Sequence, residues 1–349
     1  NTAHHSVSAG DFAQVARLVR VHAAGDRQTG VQIMRMSEGL DEGELVVGQV
    51  VAGVELARRD DPRVAQAAVL VDADLTIEHW KSGRGSDYLG RLEFGALMQA
   101  RQVDYHLMIE LVDHNSPDLE RDLMALLNSI RPEGVILTPP NSDNTVVMDA
   151  LDAAGTPYAR IGPEAAFDRG FCIEMDERRA ALEMTRHLIE LGHTRIAFVT
   201  GPVAYGASRR RLAGYTDAMA EAGLDVAPAW VVEGDFTFNS GALAMEKLHE
   251  TSPDITAVFA SNDDTALGVL QCAARLGLSV PGDIGLIGLN DMEMARWQLI
   301  GLTTIHQPVA QIIEAAIDLV VSIIETPDRP PEVRLFPCRV IERRTLRAL

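Results

Sequence analysis

The chain has 349 residues, of which 47% are apolar and 23% charged, and a formal net charge of −19. That length predicts two or three domains rather than one small core, and a surplus of negative charge opposes non-specific adhesion to nucleic acid. The sequence shows no compensating basic block at its start. Residues 1–85 hold nine Lys and Arg against twelve Asp and Glu, a balance of −3, which leaves −16 for the remaining 264.

No apolar run reaches the roughly 18 residues that a membrane span needs, and the nearest, Ala315–Ile324, is interrupted by Asp318. The first residues, Asn1-Thr2-Ala3-His4-His5, carry neither the positive n-region nor the apolar h-region of a secretory signal. They lack an initiator Met, which points to a start outside this sequence. Cys172, Cys272 and Cys338 stand singly. An odd, unclustered set predicts inert thiols in a reducing compartment, not a disulfide framework or a zinc site. The expectation is a cytoplasmic protein without metal or cofactor.

Regular patterning begins at Ser86. A helical stretch over Ser86–Leu97 precedes a strand-like run from His106 to Val112. A helix follows over Pro117–Ile130, with Leu119, Leu123, Leu126, Leu127 and Ile130 at helical spacing. Next come a strand over Gly134–Thr138, a helix over Thr145–Ala154 and a strand over Tyr158–Ile161. The rhythm restarts after Phe171–Met175: Asp176 caps a helix running to Leu191, and Gly192 stops it. Strands over Arg195–Thr200, Trp230–Glu233, Ala257–Ala260 and Ile284–Leu289 alternate with helices over Ser208–Ala222, Asn239–His249 and Asp264–Leu276. Leu302–Gln307 is strand-like, and a helix starts at Pro308, a favoured first position. Short continuous apolar strands between helices predict parallel sheets buried on both faces. Two such blocks predict two Rossmann-like lobes, linked by extended segments near Pro163–Glu174 and Asn290–Gln307.

Open parallel sheets bind ligands beyond the carboxyl ends of their strands. Those ends here carry Ser261-Asn262-Asp263, Asn290-Asp291, Gly234-Asp235-Phe236 and, in the first turns of a helix, Ser208-Arg209-Arg210-Arg211. Taken singly, each is a helix cap or a surface charge. Together they suit a neutral, hydroxyl-rich ligand such as a sugar or nucleoside, with carboxamides and a guanidinium for the hydroxyls and Phe236 for an apolar ring face. Enzyme motifs are weak. Gly83-Arg84-Gly85 and Gly90 lack dinucleotide-fingerprint spacing, and neither a phosphate-loop Gly-Lys-Ser/Thr nor a Gly-x-Ser-x-Gly elbow occurs. His187 and His193 flank a helix end, where packing is the default role. The chain reads as a non-enzyme.

Several stretches resemble, in order, the ligand-sensing core of the LacI/GalR transcription regulators. They are Asp176–Pro202, Arg211-Leu212-Ala213-Gly214-Tyr215, Gly234-Asp235-Phe236, Ala260–Gly268, Val280-Pro281-Gly282-Asp283-Ile284 and Leu302–Pro308. The resemblance covers roughly 260 residues. It implies a periplasmic-binding-protein-like (type I) α/β fold of two lobes, a homodimer, and a small carbohydrate or nucleoside-like effector between the lobes. Carried over by position, Arg211, Phe236, Asn262 and Asn290 face the effector, and Tyr88 takes the first lobe's aromatic place. Most members have Asp where this chain has Asn290, and the change from carboxylate to amide alters the preferred hydroxyl pattern. The strand end Thr138–Asn144 also reaches toward the ligand. The implied mechanism is a population shift: effector binding favours one lobe arrangement, and the dimer's DNA-reading heads move in or out of operator spacing.

The family opens with a basic helix-turn-helix of about 60 residues, and residues 1–85 have the length but not the chemistry. Gly30–Leu40 keeps Gly, Val, Ser and Leu at headpiece spacing without the phosphate-contacting Ser and Thr. Thr29–Gly43 also resembles a short methionyl-tRNA formyltransferase motif, outside that enzyme's catalytic context. The apolar run Ala67–Val71 sits about ten residues too early for the family's first strand, so a vacant central strand position is expected. Residues 1–85 therefore read as an atypical segment, replaced or translated from a shifted or chimeric frame. The expected domains are 1–85; a first lobe of 86–162 with about 291–322; and a second of 163–290 with about 323–349. The expected function is an effector-responsive, DNA-binding regulator, a repressor. The alternative is a sugar-binding protein of the same fold that does not touch DNA.

Overall fold

The computed structural model describes residues 65–81, 86–326 and 329–349. The chain divides into two units, Asn1–Val64 and Ala65–Leu349. The headpiece-like trace at Gly30–Leu40, the likeness at Thr29–Gly43 and the His4-His5 pair lie outside the described residues.

The first lobe is built on six parallel strands in the order β11-β5-β4-β3-β1-β2. These are β1 (Ala65–Asp72), β2 (Tyr105–Val112), β3 (Gly134–Leu137), β4 (Tyr158–Ile161), β5 (Phe171–Met175) and β11 (Val333–Phe336). Helices cover both faces: α2 (Asp87–Gln102) and α9 (Val309–Glu325) one side, α3 (Leu119–Ile130) and α4 (Thr145–Ala154) the other. Strand parity divides the core accordingly. Val69, Val71 and Ile136 face Leu92, Ile313 and Val320, whereas Ala68, Leu70 and Leu137 face Leu123, Leu127 and Leu151.

The expected vacancy in this sheet does not exist. The run Ala67–Val71, expected to sit too early, forms the body of β1 and pairs with β3 on one side and β2 on the other. Burying Val69, Leu70 and Val71 completely is worth roughly 1.5–3 kcal/mol each, which is reason enough for the run to take the central position. Helix α1 (Ala73–Lys81) takes up the length between this strand and Ser86. Ser86 caps α2 by accepting from Leu89 N. The boundary expected at 85/86 therefore moves to 64/65.

The second lobe carries four parallel strands in the order β7-β6-β8-β9. They are β6 (Ile196–Val199), β7 (Val231–Val232), β8 (Ala257–Ala260) and β9 (Gly285–Ile287). Helices α5 (Glu177–Glu190) and α6 (Gly206–Glu221) pack as one pair, and α7 (Phe238–Thr251) and α8 (Asp263–Arg275) as another. The α5–α6 pair explains the Arg-Leu-Ala-Gly-Tyr motif: a Cβ on Gly214 would stand 2.1 Å from the Arg178 carbonyl. Only glycine permits that approach. Strands β10 (Thr304–His306) and β12 (Arg339–Ile341) pair antiparallel, and β10 bridges to β9 through Ile287–Thr303 and Asn290–His306.

Three passages join the lobes: β5 to α5 at Asp176, β10 to α9 at Gln307–Pro308, and β11 to β12 at Pro337–Cys338. The expected lobe limits change in three places. Residues 291–306, expected in the first lobe, go with the second, because β10 pairs with β12 and bridges to β9. Phe171–Met175 belongs to the first sheet through its pairing with β4, and Val333–Phe336 joins it by pairing with β5. Both had been expected in the second lobe, because short apolar strands carry no mark of the sheet they enter.

Two buried charges hold the strand tips. Arg160, with 0% exposure, donates from Nε to Ser142 O (2.6 Å) and from its terminal nitrogens to Ala165 O, Ala166 O and Arg169 O, with Asp143 as its ion partner. It thereby ties the loop after β3 to the loop after β4. In the second lobe, Asp263 accepts from Met292 N (2.8 Å) and from Thr304 Oγ1 (2.6 Å), fixing the loop after β9 to β10. Burial pushes the Asp263 carboxyl up to about 6, against the pull of those two hydrogen bonds.

Arg160→Met should cost roughly 3–5 kcal/mol in denaturant unfolding, since it leaves several buried acceptors without a donor; a loss below 1 kcal/mol would contradict the stapling role. For Asp263, the folded state holds the proton more tightly than the unfolded chain. Its cost is absent below about pH 4, grows as pH rises and is complete above about 6, reaching about 3 kcal/mol. Asp263→Asn should therefore gain stability relative to the parent chain as pH rises from 4 to 7, and a pH-independent difference would contradict this.

Candidate functional site

The carboxyl ends of both sheets open onto one cavity of about 950 Å³ of empty space, lined from both lobes. All five residues singled out from sequence line it: Tyr88 from α2, Arg211 from α6, Phe236 from the loop after β7, Asn262 at the start of α8, and Asn290 after β9. Thr138, at the strand end also expected to reach the ligand, lines it as well.

Arg211 is the most constrained. It is 4% exposed and forms a two-point ion pair with Glu177, Nε to Oε2 at 2.6 Å and Nη2 to Oε1 at 3.1 Å. Nη1 donates to the Ser261 carbonyl, and the guanidinium lies 5.8 Å from the Phe236 ring centroid. Three of its five N–H donors are thus engaged, leaving two for a ligand. A guanidinium locked this way presents its donors in one orientation.

Phe236 adopts φ +66°, a region a bulky residue enters only under constraint. Asn262 supplies that constraint. Its Nδ2 donates to the Phe236 carbonyl (2.8 Å), while its Oδ1 caps α8 by accepting from Thr265 N (2.9 Å). Gly201 makes room for the ring, because a Cβ there would stand 2.2 Å from it. Asn262 is therefore a helix cap and a cavity-lining residue at once, its amide shared between α8 and the positioning of Phe236.

Asn290 also has a positive φ, +129°, followed by Asp291 at +55°. Its backbone is fixed from both lobes: its N–H donates to Ile305 O (2.9 Å), and Arg91 Nη2 of α2 donates to its carbonyl (3.2 Å). Asp291 is anchored by Arg343, Arg296 and His306, whose hydrogen bonds hold its carboxyl below the usual range against the cost of burial. The Asn290 carboxamide is left to line the cavity. Tyr88 has its hydroxyl pushed up to about 12, by burial first and by the Glu177 charge second, with Arg211 and Arg91 pulling the other way. It stays a neutral donor at any physiological pH.

Sequence reasoning passed over several lining residues, among them Asp72, Glu177, Tyr205 and Gln307. Asp72 closes β1, and the rule that selected the other strand ends would have found it had Ala67–Val71 been read as a strand. Glu177, at the first turn of α5, had no signal beyond its place. Gln307 lies within the Leu302–Pro308 motif; its Oε1 is buried with no hydrogen-bond partner, the state of an acceptor that a ligand donor or water would satisfy. Both lining arginines are already matched, Arg211 by Glu177 and Arg210 by Glu164 and Glu174. The cavity thus offers polar donors and acceptors around apolar walls such as Leu89, Ile161, Ile173 and Ile312, with little unpaired charge. Among the described residues no group of three or more His, Cys, Asp or Glu is placed to hold a metal ion, and no helix is long and apolar enough to cross a membrane.

Comparison with known proteins agrees with this geometry. Residues 185–346 match the model of the periplasmic binding protein-like domain. The chain is 31% identical over 309 residues to the ribose operon repressor of Escherichia coli K12, an alignment covering 86% of this chain and 92% of the repressor. Among solved structures, the transcriptional regulator CelR in complex with cellobiose superposes with a TM-score of 0.73 at 26% identity, covering 80% of this chain and 84% of that one. A sugar-binding transcriptional regulator of the LacI family from Escherichia coli does so with a TM-score of 0.69 at 26% identity, covering 81% and 99%. With the motifs in order, the two-lobed fold in place and a relative matched over nearly its whole length, the chain belongs to the LacI/GalR family of transcription regulators.

Proposed function

We propose that this chain is a transcriptional repressor controlled by a neutral, hydroxyl-rich small molecule, a sugar or nucleoside, held between its lobes. One observation carries the reading: Tyr88, Arg211, Phe236, Asn262 and Asn290, drawn from five separate segments, line a single cavity. The chemistry fits the ligand class. Two free guanidinium N–H groups, the Asn290 carboxamide and the orphan Gln307 Oε1 match hydroxyls, and the Phe236 ring matches an apolar sugar or base face. An anionic ligand is disfavoured because each lining arginine already has a carboxylate. The relatives support the same class, one named for the ribose operon and one solved with cellobiose.

The mechanism follows from the three interlobe passages. A ligand that contacts both lobes binds one lobe arrangement more tightly than the other and shifts the population by that difference alone. The partners we assign are a second copy of the chain and operator DNA, in the cytoplasm. For the second copy, the first lobe offers exposed Phe94, Leu97 and Met98 on α2 beside Ile109 and Leu111 on the edge strand β2, an apolar patch that a symmetric copy would cover. The second reading, a ligand-binding protein of this fold without DNA contact, draws on the missing basic surplus in residues 1–85.

In a thermal-shift panel of sugars and nucleosides, at least one neutral compound should raise the melting temperature of the full chain, because binding the native state stabilises it. Arg211→Ala should abolish that rise while remaining folded; an unchanged response would count against this cavity. If DNA binding holds, the full chain should shift DNA from upstream of its own gene and lose affinity by about 10³-fold or more between 50 and 200 mM salt. A Phe94→Asp/Leu111→Asp double variant should sediment as a monomer and lose that shift. No salt-dependent shift would favour the second reading, and a double variant that still dimerises would move the interface elsewhere.

A further inference from the structure

Asp72 ends β1 in the first lobe, and Tyr205 precedes α6 in the second. The Tyr205 hydroxyl donates to Asp72 Oδ2 at 2.5 Å across the cavity that both residues line. Neither group has an ordinary surface role. Asp72 is 5% exposed and Tyr205 9%, and the carboxylate is held from its own lobe by Leu75 N (3.2 Å) and His114 Nδ1 (3.0 Å). The Tyr205 ring stands edge-on to Phe236, with centroids 5.5 Å apart. The phenol is thus aimed from one side and its acceptor from the other.

We propose that the Tyr205–Asp72 hydrogen bond is an interlobe latch, and that Tyr205 sets effector affinity by holding the lobes closed. Other polar contacts cross the gap: Arg91 reaches the Asn290 carbonyl, which is bridged to His306 beside the Gln307–Pro308 passage, Arg209 and Arg210 reach Glu164, and Arg210 also reaches Glu174. Glu174 lies in β5, beside the Asp176 passage, and Glu164 in the loop that leads into β5. A contact next to a hinge changes little as the hinge opens. Asp72 sits on β1, three strands along the sheet from β5, which at about 4.8 Å per strand is roughly 14 Å from the pivot. Opening separates that pair most, so its hydrogen bond is among the first broken and resists opening with the longest lever. Burial, the Asp72 charge and the hydrogen bond to Asp72 all raise the Tyr205 pKa, which keeps the hydroxyl a donor.

The consequence for affinity rests on the cavity being the effector site, but the latch itself does not. A chain held closed pays less to reach the ligand-bound arrangement, so apparent affinity scales with the closed fraction. The test reads that fraction without ligand. Dyes are placed on Arg121→Cys in α3 and Lys247→Cys in α7, both exposed, in a Cys338→Ala background with Cys172 and Cys272 buried. Interlobe distance is then measured by single-molecule energy transfer on the full chain.

Tyr205→Phe, which removes only the hydroxyl, should raise the open-to-closed ratio about tenfold, the cost of one hydrogen bond to a charged acceptor. Asp72→Asn should do the same in part, and the double variant should open no further than Tyr205→Phe, because both changes break one bond. Distance distributions for Tyr205→Phe that match the parent, or effects that simply add in the double variant, would overturn the latch. Either result would leave the Arg211-dependent thermal shift, and with it the proposed function, standing.

Discussion

Both parallel sheets among the described residues are covered by helices on each face, which leaves the carboxyl ends of the strands as the edge where polar groups can gather around a small molecule. The rest of the site follows from that constraint. Val69, Leu70 and Val71 of β1, like Ile136 and Leu137 of β3, alternate between opposite faces of the core, so chemistry begins at the residue that follows each run, Asp72 and Thr138. In the second lobe β8 gives way directly to Ser261 and Asn262, and β9 leads through Gly288 and Leu289 to Asn290. Three passages between the lobes turn two such edges toward each other. The cavity is where they meet.

Holding those tips in place has a local cost, met by hydrogen bonds and ion pairs made within the protein. Phe236 and Asn290 sit at positive φ, a conformation that costs about 1–3 kcal/mol for a non-glycine residue. Asn262 holds the first through its Nδ2; Ile305 and Arg91 hold the second, one from each lobe. Glu177 and Ser261 orient Arg211, and the buried Asp263 ties the Asn290 loop to β10. Binding groups are fixed before the ligand arrives, which lowers the entropic cost of ordering them on association. The strain and the buried charge are the physical reason the motifs around these residues read as unusual.

Much of this was legible in the sequence, for reasons that differ by element. The helix Thr145–Ala154 and the strand Ala257–Ala260 were read with their true limits, because Asn144 caps the first and the second is a bare apolar run between polar ends. The five cavity residues were legible because strand ends in a parallel sheet are chemically marked. Sheet membership was not. Phe171–Met175 looks the same in either lobe, and only its hydrogen-bonding partner decides. Val333–Phe336 and Arg339–Ile341 are half exposed and carry the alternation of edge strands, too short to stand out. The largest difference, β1, arose from expecting a spacing: the apolar run was seen, but α1 lies between it and Ser86 and no local signal announces an insertion. Tyr205 and Asp72 stand 133 residues apart, and their hydrogen bond is a property of closure that no local pattern encodes.

If these strand tips grip one ligand from both sides, a crystal structure of the chain with whichever neutral sugar or nucleoside stabilises it most will show this. Ligand hydroxyls should lie within hydrogen-bond distance of Arg211 and Asn290, with the Phe236 ring against an apolar face of the compound. A compound bound elsewhere on the chain, with the Arg211–Glu177 pair and the gap between the lobes unfilled, would contradict that grip.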